Sequence, residues 1–142
     1  MTIQIEHPAD TDITALHAIL TTTYWSPGIP RDLVAKACAH SLCAVARDDA
    51  GALTGFARIV TDRATFAWLC DVVVLPGHQG KGIARALVRA FRDDPELRGL
   101  RRWLLGTRDA HGVYAPLGFA PIAEPARLME IRLANPYGAK AG

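Results

Sequence analysis

The feature that most constrains the fold is an apolar run that ends abruptly in a glycine-rich bend. Residues 65–75, TFAWLCDVVVL, are almost continuously apolar, as is typical of a strand covered on both faces, and Pro76 ends the run. The bend at 77–82 leads into IARALVRAFRDD, where apolar residues recur at helical spacing. The sequence therefore predicts a buried central strand, a tight loop and a helix in direct succession.

Further strands and helices are predicted around this unit. Residues 2–6 alternate as in a strand, and a helix should follow through Leu20, with residues 10–12 as candidates for its N-cap. The segments LCAVAR and LTGFARIV, separated by residues 48–51, predict an antiparallel hairpin. We also expect helices at 31–40 and 110–117, a strand at 101–107, and closing strands at 118–122 and 127–133.

Length and composition limit the class of protein. The 142 residues suit a single domain, which we assign to 1–134, with a loose C-terminal tail at 135–142. A net charge of +2 is too small for a general polyanion-binding surface, so we do not expect nucleic acid as a partner. No apolar stretch approaches the roughly 20 residues of a membrane helix, and the N-terminus lacks a signal-peptide pattern. We therefore expect a cytoplasmic protein that does not bind membranes.

The cysteines predict neither a metal site nor a redox motif. Cys38, Cys43 and Cys70 are odd in number, lie in apolar segments and lack close paired spacing. Cys70 stands beside Asp71, yet no His-Asp relay that would activate a nucleophile accompanies it. We expect buried, reduced thiols and no bound metal.

The bend after the central strand has the composition of an anion-binding loop. Gly80 and Gly82 let the backbone approach a ligand, while the free N–H groups and the dipole of the helix start favour an anion such as a diphosphate. Lys81 adds a positive charge. The sequence is neither a Walker motif nor a Rossmann fingerprint, which disfavours a nucleoside triphosphate or NAD. A tight turn in which the glycines only permit the geometry is the alternative.

Two separated motifs resemble those of the GNAT superfamily of N-acetyltransferases. The family signature is Gln or Arg, two residues, Gly, one residue, and Gly or Ala. A Val-x-Pro sequence precedes it, and a Tyr followed after three residues by Gly-Phe lies downstream. The matching positions in this chain are Val74, Pro76, Gln79, Gly82, Ala84, Tyr114, Gly118 and Phe119.

The resemblance covers nearly the whole chain and implies a fold. It is a single-domain α/β fold, α+β by some schemes, with a mixed, mostly antiparallel sheet flanked by helices. The fourth and fifth strands, here about 66–75 and 102–106, splay apart and admit the pantetheine arm of CoA. Homodimers are also common in the family.

The resemblance further implies a cosubstrate and the residues that bind it. Acetyl-CoA, or a close acyl-CoA relative, would donate an acyl group to an amine without a metal. A main-chain amide of the central strand would polarise the thioester carbonyl. The implied cofactor-binding positions are Val72, Val73, Val74, Gln79, Gly80, Lys81, Gly82, Ile83, Ala84 and Tyr114.

Two residues are candidates for catalysis. Tyr114 occupies the family position of the general acid that protonates the departing thiolate. Its alternative is packing beside Phe119 with the hydroxyl hydrogen-bonded elsewhere. Asp71 interrupts an apolar strand and is a candidate for a base acting through water or for an anchor of the acceptor ammonium, with structural pairing equally open. Further along, we expect Asp109 to cap the next helix and His111 to lie on its surface rather than act as a base.

The acceptor pocket is the least constrained part of the site. A mixed aromatic and charged pocket for a small amine or an amino-acid-like molecule would result if a few residues met near the splayed strands. These residues are Tyr24, Trp25, Phe56, Arg58 and Asp71. Taken singly, each favours another role: core packing for Phe56 and Trp25, and surface solvation for Arg58. A protein or aminoacyl-tRNA acceptor and a noncatalytic acyl-CoA-binding regulatory domain are the competing functions.

Overall fold

A five-stranded sheet forms the centre of the computed structural model, which describes residues 1–138. The strands lie in the order β1-β2-β3-β4-β5. Their bounds are β1 Thr2–Ile5, β2 Leu42–Arg47, β3 Leu53–Thr61, β4 Phe66–Val74 and β5 Arg102–Leu105. Strands β1 to β4 pair antiparallel with one another, and β5 runs parallel to β4. The predicted mixed, mostly antiparallel sheet is confirmed.

Helices cover both faces of this sheet. They are α1 Asp10–Leu20, α2 Arg31–Ala39, α3 Ile83–Asp93 and α4 His111–Tyr114, with single 3-10 turns at Pro95–Leu97, Ala115–Leu117 and Pro125–Arg127. Helices α1 and α2 pack on one face and α3 on the other, which gives the protein two apolar clusters separated by the sheet. The predicted strand, loop and helix from β4 to α3 are therefore present in order.

Helix α3 approaches the sheet closely because β3 carries a glycine beneath it. A Cβ on Gly55 would lie 2.6 Å from Cγ2 of Ile83 and 3.2 Å from Cδ1 of Leu87. The neighbouring sheet residues Ala44 and Ala57 are also small and fully buried. The start of α3, and with it the preceding loop, is thus held at a fixed height above the strands.

Two predictions about local structure are wrong. Helix α1 begins at Asp10, so residues 10–12 lie inside its first turn, and the carboxylate of Asp12 reaches back to accept the N–H of Ala9 at 2.8 Å. The segments 118–122 and 127–133 form no strands. Their alternating pattern suits a strand, but Pro121 and Pro125 interrupt the region, and no described strand pairs with it.

The C-terminal end turns back onto the domain. Tyr137 packs against the apolar cluster beneath α1 and α2. The predicted tail at 135–142 is thus a turn in the part that the structure describes, and residues 139–142 lie outside the described range. Within residues 1–138, no helix has the length and apolar character needed to cross a membrane.

Candidate active site

The site begins at a bulge in the central strand. Phe56 pairs with Val73 and Arg58 with Cys70, so one residue of β3 faces two residues of β4, one of which is Asp71. Asp71 has φ of 53°, a left-handed conformation that costs a non-glycine residue about 1–3 kcal/mol. Such a bulge bends its strand and leaves backbone groups without a ladder partner. Main-chain groups of β4 are therefore available at this point.

Strands β4 and β5 separate next to the bulge. Their pairing runs from Phe66 and Arg102 to Leu69 and Leu105 and ends there. Beyond this point a cavity of about 950 Å³ opens between β4 and the chain that follows β5. Its walls include residues 69–72, 105–110 and 132–136. The splayed strands expected from the sequence are present, and the cavity lies where they diverge.

Asp71 is tied to two other elements of the fold. One carboxylate oxygen accepts a hydrogen bond from Nε1 of Trp25 at 2.9 Å, and the other accepts one from Nε of Arg58 at 2.9 Å. Arg58 also donates to Oγ of Ser41 at 3.0 Å. Burial lowers the pKa of Arg58, but the charge and hydrogen bond of Asp71 together with Cys70 and Cys38 outweigh this effect, so the net shift is upward. Both oxygens of Asp71 are thus engaged by protein donors.

Aromatic residues continue this network along the cavity rim. The rings of Tyr24 and Trp25 meet edge to face, with centroids 5.0 Å apart. The guanidinium carbon of Arg108 lies 4.0 Å from the centroid of the Tyr24 ring, and the N–H of Arg108 donates to the Tyr24 hydroxyl at 3.0 Å. The loop after α1 is thereby fixed to the loop after β5 across the mouth of the cavity.

Tyr114 enters the cavity from α4. Its ring packs edge-on against Phe119, with centroids 6.1 Å apart. This contact is the first part of the packing interpretation, the alternative to a catalytic role. Its hydroxyl, however, makes no hydrogen bond with any of the residues 1–138, so the second part of that interpretation does not hold. Burial raises the pKa of the Tyr114 phenol, with a smaller contribution from Tyr24. The group is a protonated phenol in a largely apolar wall.

The loop before α3 presents an uncapped helix start. Gly77, Gly80 and Gly82 all have left-handed φ angles, between 77° and 87°, and a Cβ at any of them would meet no atom within 4 Å. Gly82 occupies the N-cap and provides no side-chain cap. The first turn of α3 contains no acidic residue, and Lys81 and Arg85 are exposed there. Free N–H groups, two cations and open space together suit a diphosphate.

The comparison with protein families matches this geometry. The family model described as "Acetyltransferase (GNAT) family" matches residues 12–119. The chain belongs to the GNAT acetyltransferase family. Members of this family are acyltransferases that use acetyl-CoA.

Individual relatives support the GNAT assignment. A GNAT-family crystal structure from Xanthomonas campestris is 41% identical, covers 98% of this chain and 99% of its own, and gives a TM-score of 0.88. A Gibberella zeae protein with the provisional name of an acetyltransferase is 29% identical over 72% of this chain and 69% of its own. A Clostridium acetobutylicum structure with acetyl-CoA shares the fold at 16% identity, with a TM-score of 0.66, over 92% of this chain and 96% of its own.

The structure brings only some of the predicted site residues of this GNAT chain together. Tyr24, Trp25, Asp71, Val72 and Tyr114 line the cavity. Phe56 does not, because its side chain is fully buried in the core between the sheet and α1, where the alternative interpretation placed it. Val73 and Val74 likewise pack in the two clusters, so they can contribute only backbone groups. Arg58 does not line the cavity and contacts the site through its ion pair with Asp71.

The side chains after β5 differ from expectation. Asp109 does not cap α4, and no other described side chain does; Oγ1 of Thr107 accepts the N–H of Ala110, the residue before the helix, at 3.0 Å. Asp109 lies 3.8 Å from Arg108 in an exposed ion pair. His111 is exposed on the surface, as expected. Cys38 and Cys43 are buried free thiols, whereas Cys70 is half-buried and lines the cavity.

Other functional candidates escaped the sequence analysis. Arg85 follows the signature directly, and its place in the first turn of an uncapped helix could have identified it. Trp68, Arg108 and Arg132 line the cavity but carried no motif, so only the tertiary fold reveals them. Within residues 1–138, no group of three or more His, Cys, Asp or Glu residues is arranged to hold a metal ion.

Proposed function

We propose that this protein transfers the acetyl group of acetyl-CoA directly to the amine of a small molecule. The observation that carries the proposal is the Tyr114 hydroxyl, which no group of residues 1–138 binds, in a cavity formed where β4 and β5 separate. The loop at 77–82 and the start of α3 supply the anion site that the diphosphate of the cosubstrate needs. The residues present therefore fit acetyl-CoA, which supplies an activated acetyl thioester when bound.

Backbone groups near the bulge would orient the reacting carbonyl. Asp71 and Val72 face a single residue of β3, so the β4 ladder is interrupted beside the cavity. A main-chain N–H freed in this way is a fixed donor for the charge that develops on an acyl oxygen. The side chains of Val73 and Val74 are not needed for this role because they point into the core clusters.

Tyr114 would act as the general acid. Its phenol has no competing partner among the described residues, and its raised pKa keeps it protonated at neutral pH. It can therefore give its proton to the sulfur when the C–S bond breaks and the new C–N bond forms. The nitrogen loses its extra proton to solvent, and the phenolate is then reprotonated from solvent. Replacing such a group typically costs about 10²–10⁴ in rate.

Asp71 is better suited to positioning than to proton abstraction. Both of its oxygens accept hydrogen bonds from protein donors, and Arg58 balances its charge. The carboxylate would hold Trp25 against the bulge and thus shape the pocket that receives the amine. An Asp71→Asn variant should raise the KM for the acceptor while leaving the pH dependence of kcat unchanged. Loss of the acidic limb of that pH profile would instead identify Asp71 as the base.

A small acceptor is favoured by the size of the cavity. Tyr24, Trp25 and residues 132–136 are among the residues that line it, and its volume lies in the range of small-molecule sites. A protein tail or an aminoacyl-tRNA end is the competing acceptor. The free thiols Cys38 and Cys43 are consistent with a reducing compartment such as the cytoplasm, which we propose as the location.

The test is an acceptor panel assayed by release of free CoA thiol. We expect turnover with at least one class of small amine, and a fall of about 10²–10⁴ in kcat for Tyr114→Phe with unchanged CoA affinity. Gly82→Val, which forces a β-branched residue into a left-handed conformation, should instead weaken CoA binding in a calorimetric titration. Full activity of Tyr114→Phe would refute the acid role. Tight CoA binding without transfer to any acceptor would favour a regulatory acyl-CoA-binding domain.

A further inference from the structure

The cavity where β4 and β5 separate has walls of apolar and aromatic side chains that remain accessible. Tyr24, Trp25 and Trp68 are 47%, 44% and 40% exposed, and all three line the cavity. Leu105 and Leu133 add aliphatic surface to the same walls. Large apolar side chains exposed around one concave site offer area for a ligand to cover. An acceptor that fits these walls therefore has an apolar body.

Four charged side chains also line the cavity, and three of them have partners within the protein. Asp71 pairs at 2.9 Å with Arg58, which lies outside the cavity walls. Asp109 lies 3.8 Å from Arg108. Arg132 has no carboxylate partner among residues 1–138. The walls that the structure describes thus carry one positive charge that the protein does not balance.

The cosubstrate does not need this charge. We propose the loop at 77–82 as the site of its diphosphate, and the described walls of the cavity include no residue of that loop. The pantetheine arm that links the diphosphate to the thioester carries no charge. Arg132 is therefore available to the other substrate.

An additional positive charge on the acceptor would be unfavourable in this cavity. Transfer requires a neutral amine, and the unbalanced cation already opposes protonation of any amine that enters. Each carboxylate of the described walls lies beside a guanidinium group, so neither offers an uncompensated negative charge to a second ammonium. Polyamines and other multiply charged amines are therefore poor acceptors for this site.

An acceptor with one negative charge complements Arg132. A guanidinium group binds carboxylates and phosphates through two parallel hydrogen bonds. The single unbalanced charge matches a carboxylate better than a phosphomonoester, which carries about −1.5 to −2 at neutral pH.

We propose that the acceptor is an amine with a carboxylate and an apolar body, of which an apolar α-amino acid is the simplest example, and that Arg132 binds the carboxylate. This inference rests on the proposed transfer to a small amine and narrows the class of its acceptor. The products are the N-acetyl amino acid and free CoA.

The first test is a matched series of acceptors assayed by release of free CoA thiol. L-Phenylalanine, L-phenylalaninamide and 2-phenylethylamine share the amine and the apolar body and differ at the carboxylate. We expect kcat/KM for phenylalanine to exceed that for each of the others by about tenfold or more, and leucine to show the same preference over its amide. The amide has the less basic amine, so basicity cannot explain this preference. Equal rates, or faster transfer to spermidine or to the phosphonate analogue of phenylalanine, overturn the proposal.

The second test replaces the proposed anchor. Arg132→Gln should lower kcat/KM for phenylalanine by about tenfold or more, through KM, and change that for the amide by less than about twofold. Arg132→Lys keeps the charge but loses the planar fork, so its effect should be intermediate. Arg127→Gln makes the same change of charge at an exposed position nearby, outside the described walls, and should alter neither substrate. An equal loss for phenylalanine and its amide would contradict the proposal.

A binding measurement separates this proposal from that of acyl transfer. In calorimetric titrations with CoA present, phenylalanine should bind the wild type more tightly than its amide, and Arg132→Gln should abolish the difference. This result without transfer to any amine would support the carboxylate site and refute the acetyltransferase activity. Transfer to amines with no preference for a carboxylate would uphold the activity and overturn the carboxylate site, as would the absence of both binding and transfer for phenylalanine and leucine.

Discussion

Replacement of Asp71 by asparagine should destabilise the fold through the charge of Arg58. Asparagine keeps an acceptor for Trp25 and tolerates the left-handed backbone at this position, so the change isolates the loss of charge. The side chains of the ion pair are 17% and 12% exposed. Hydrogen bonds to charged groups contribute about 1.5–3 kcal/mol, and removing one partner of a fully buried pair costs about 3–5 kcal/mol. Since Arg58 retains Ser41 and some solvent, we expect a loss of about 2–3 kcal/mol.

Urea unfolding followed by tryptophan fluorescence measures this loss in the free energy of unfolding. In thermal unfolding, the entropy for 142 residues is about 0.3 kcal/mol per kelvin, so Tm should fall by roughly 7–10 °C. A cycle with Arg58→Gln should give a coupling of about 1.5 kcal/mol or more. Asp71→Ala should cost about 1–2 kcal/mol beyond asparagine because alanine disfavours a positive φ. An Asp71→Asn variant within 0.5 kcal/mol of the wild type would refute the idea that the ion pair holds the bulge.

Three further predictions concern packing and titration. Gly55→Ala should displace the start of α3, which should lower the free energy of unfolding in urea by about 1–3 kcal/mol and weaken CoA binding. Gly99→Ala is the control, because Gly99 has open space around it and its replacement should change neither quantity. Burial raises the pKa of Cys70 to about 12, so its alkylation by iodoacetamide at pH 8 should be about 10³-fold slower than that of free cysteine, as followed by mass spectrometry. A hydrogen bond from Arg47 lowers the pKa of Asp12, so the stability it contributes is present above about pH 4 and is lost as the pH falls further. In acid titrations of the unfolding free energy, Asp12→Asn should flatten this decline, and an unchanged acid limb would contradict the assignment.

Much of the fold follows from local patterns in the sequence. The apolar run of β4 and the helical spacing of α3 depend on burial of contiguous residues, so periodicity alone predicts them. The loop between them could also be predicted, because glycine is favoured where φ is positive, as at Gly80 and Gly82. The terminal strands could not be predicted in this way. The alternation in 127–133 specifies a strand only if another strand lies beside it, and this depends on tertiary or quaternary structure.

The site is less visible in the sequence than the fold. Asp71 could be recognised as a polar residue in an apolar strand, but its partners Trp25 and Arg58 lie 46 and 13 residues away and meet it only in the folded chain. The capping role expected of Asp109 is filled by no side chain of the described residues, and Thr107 instead binds the N–H of Ala110, the residue before α4. Phe56 could not be distinguished from a pocket residue because both roles require an aromatic side chain.

The bulge in β4 also absorbs one residue of the strand without changing the side of the sheet on which the later residues lie. Up to Cys70, even-numbered residues of β4 lie on the side of α1 and α2, whereas after the extra residue this side receives Val73. Deleting Asp71 would restore a regular alternation in which Val72, Val73 and Val74 keep their present sides. We therefore expect a chain lacking Asp71 to keep the arrangement of both halves of its interior while it loses the free backbone groups of the bulge and the charge partner of Arg58.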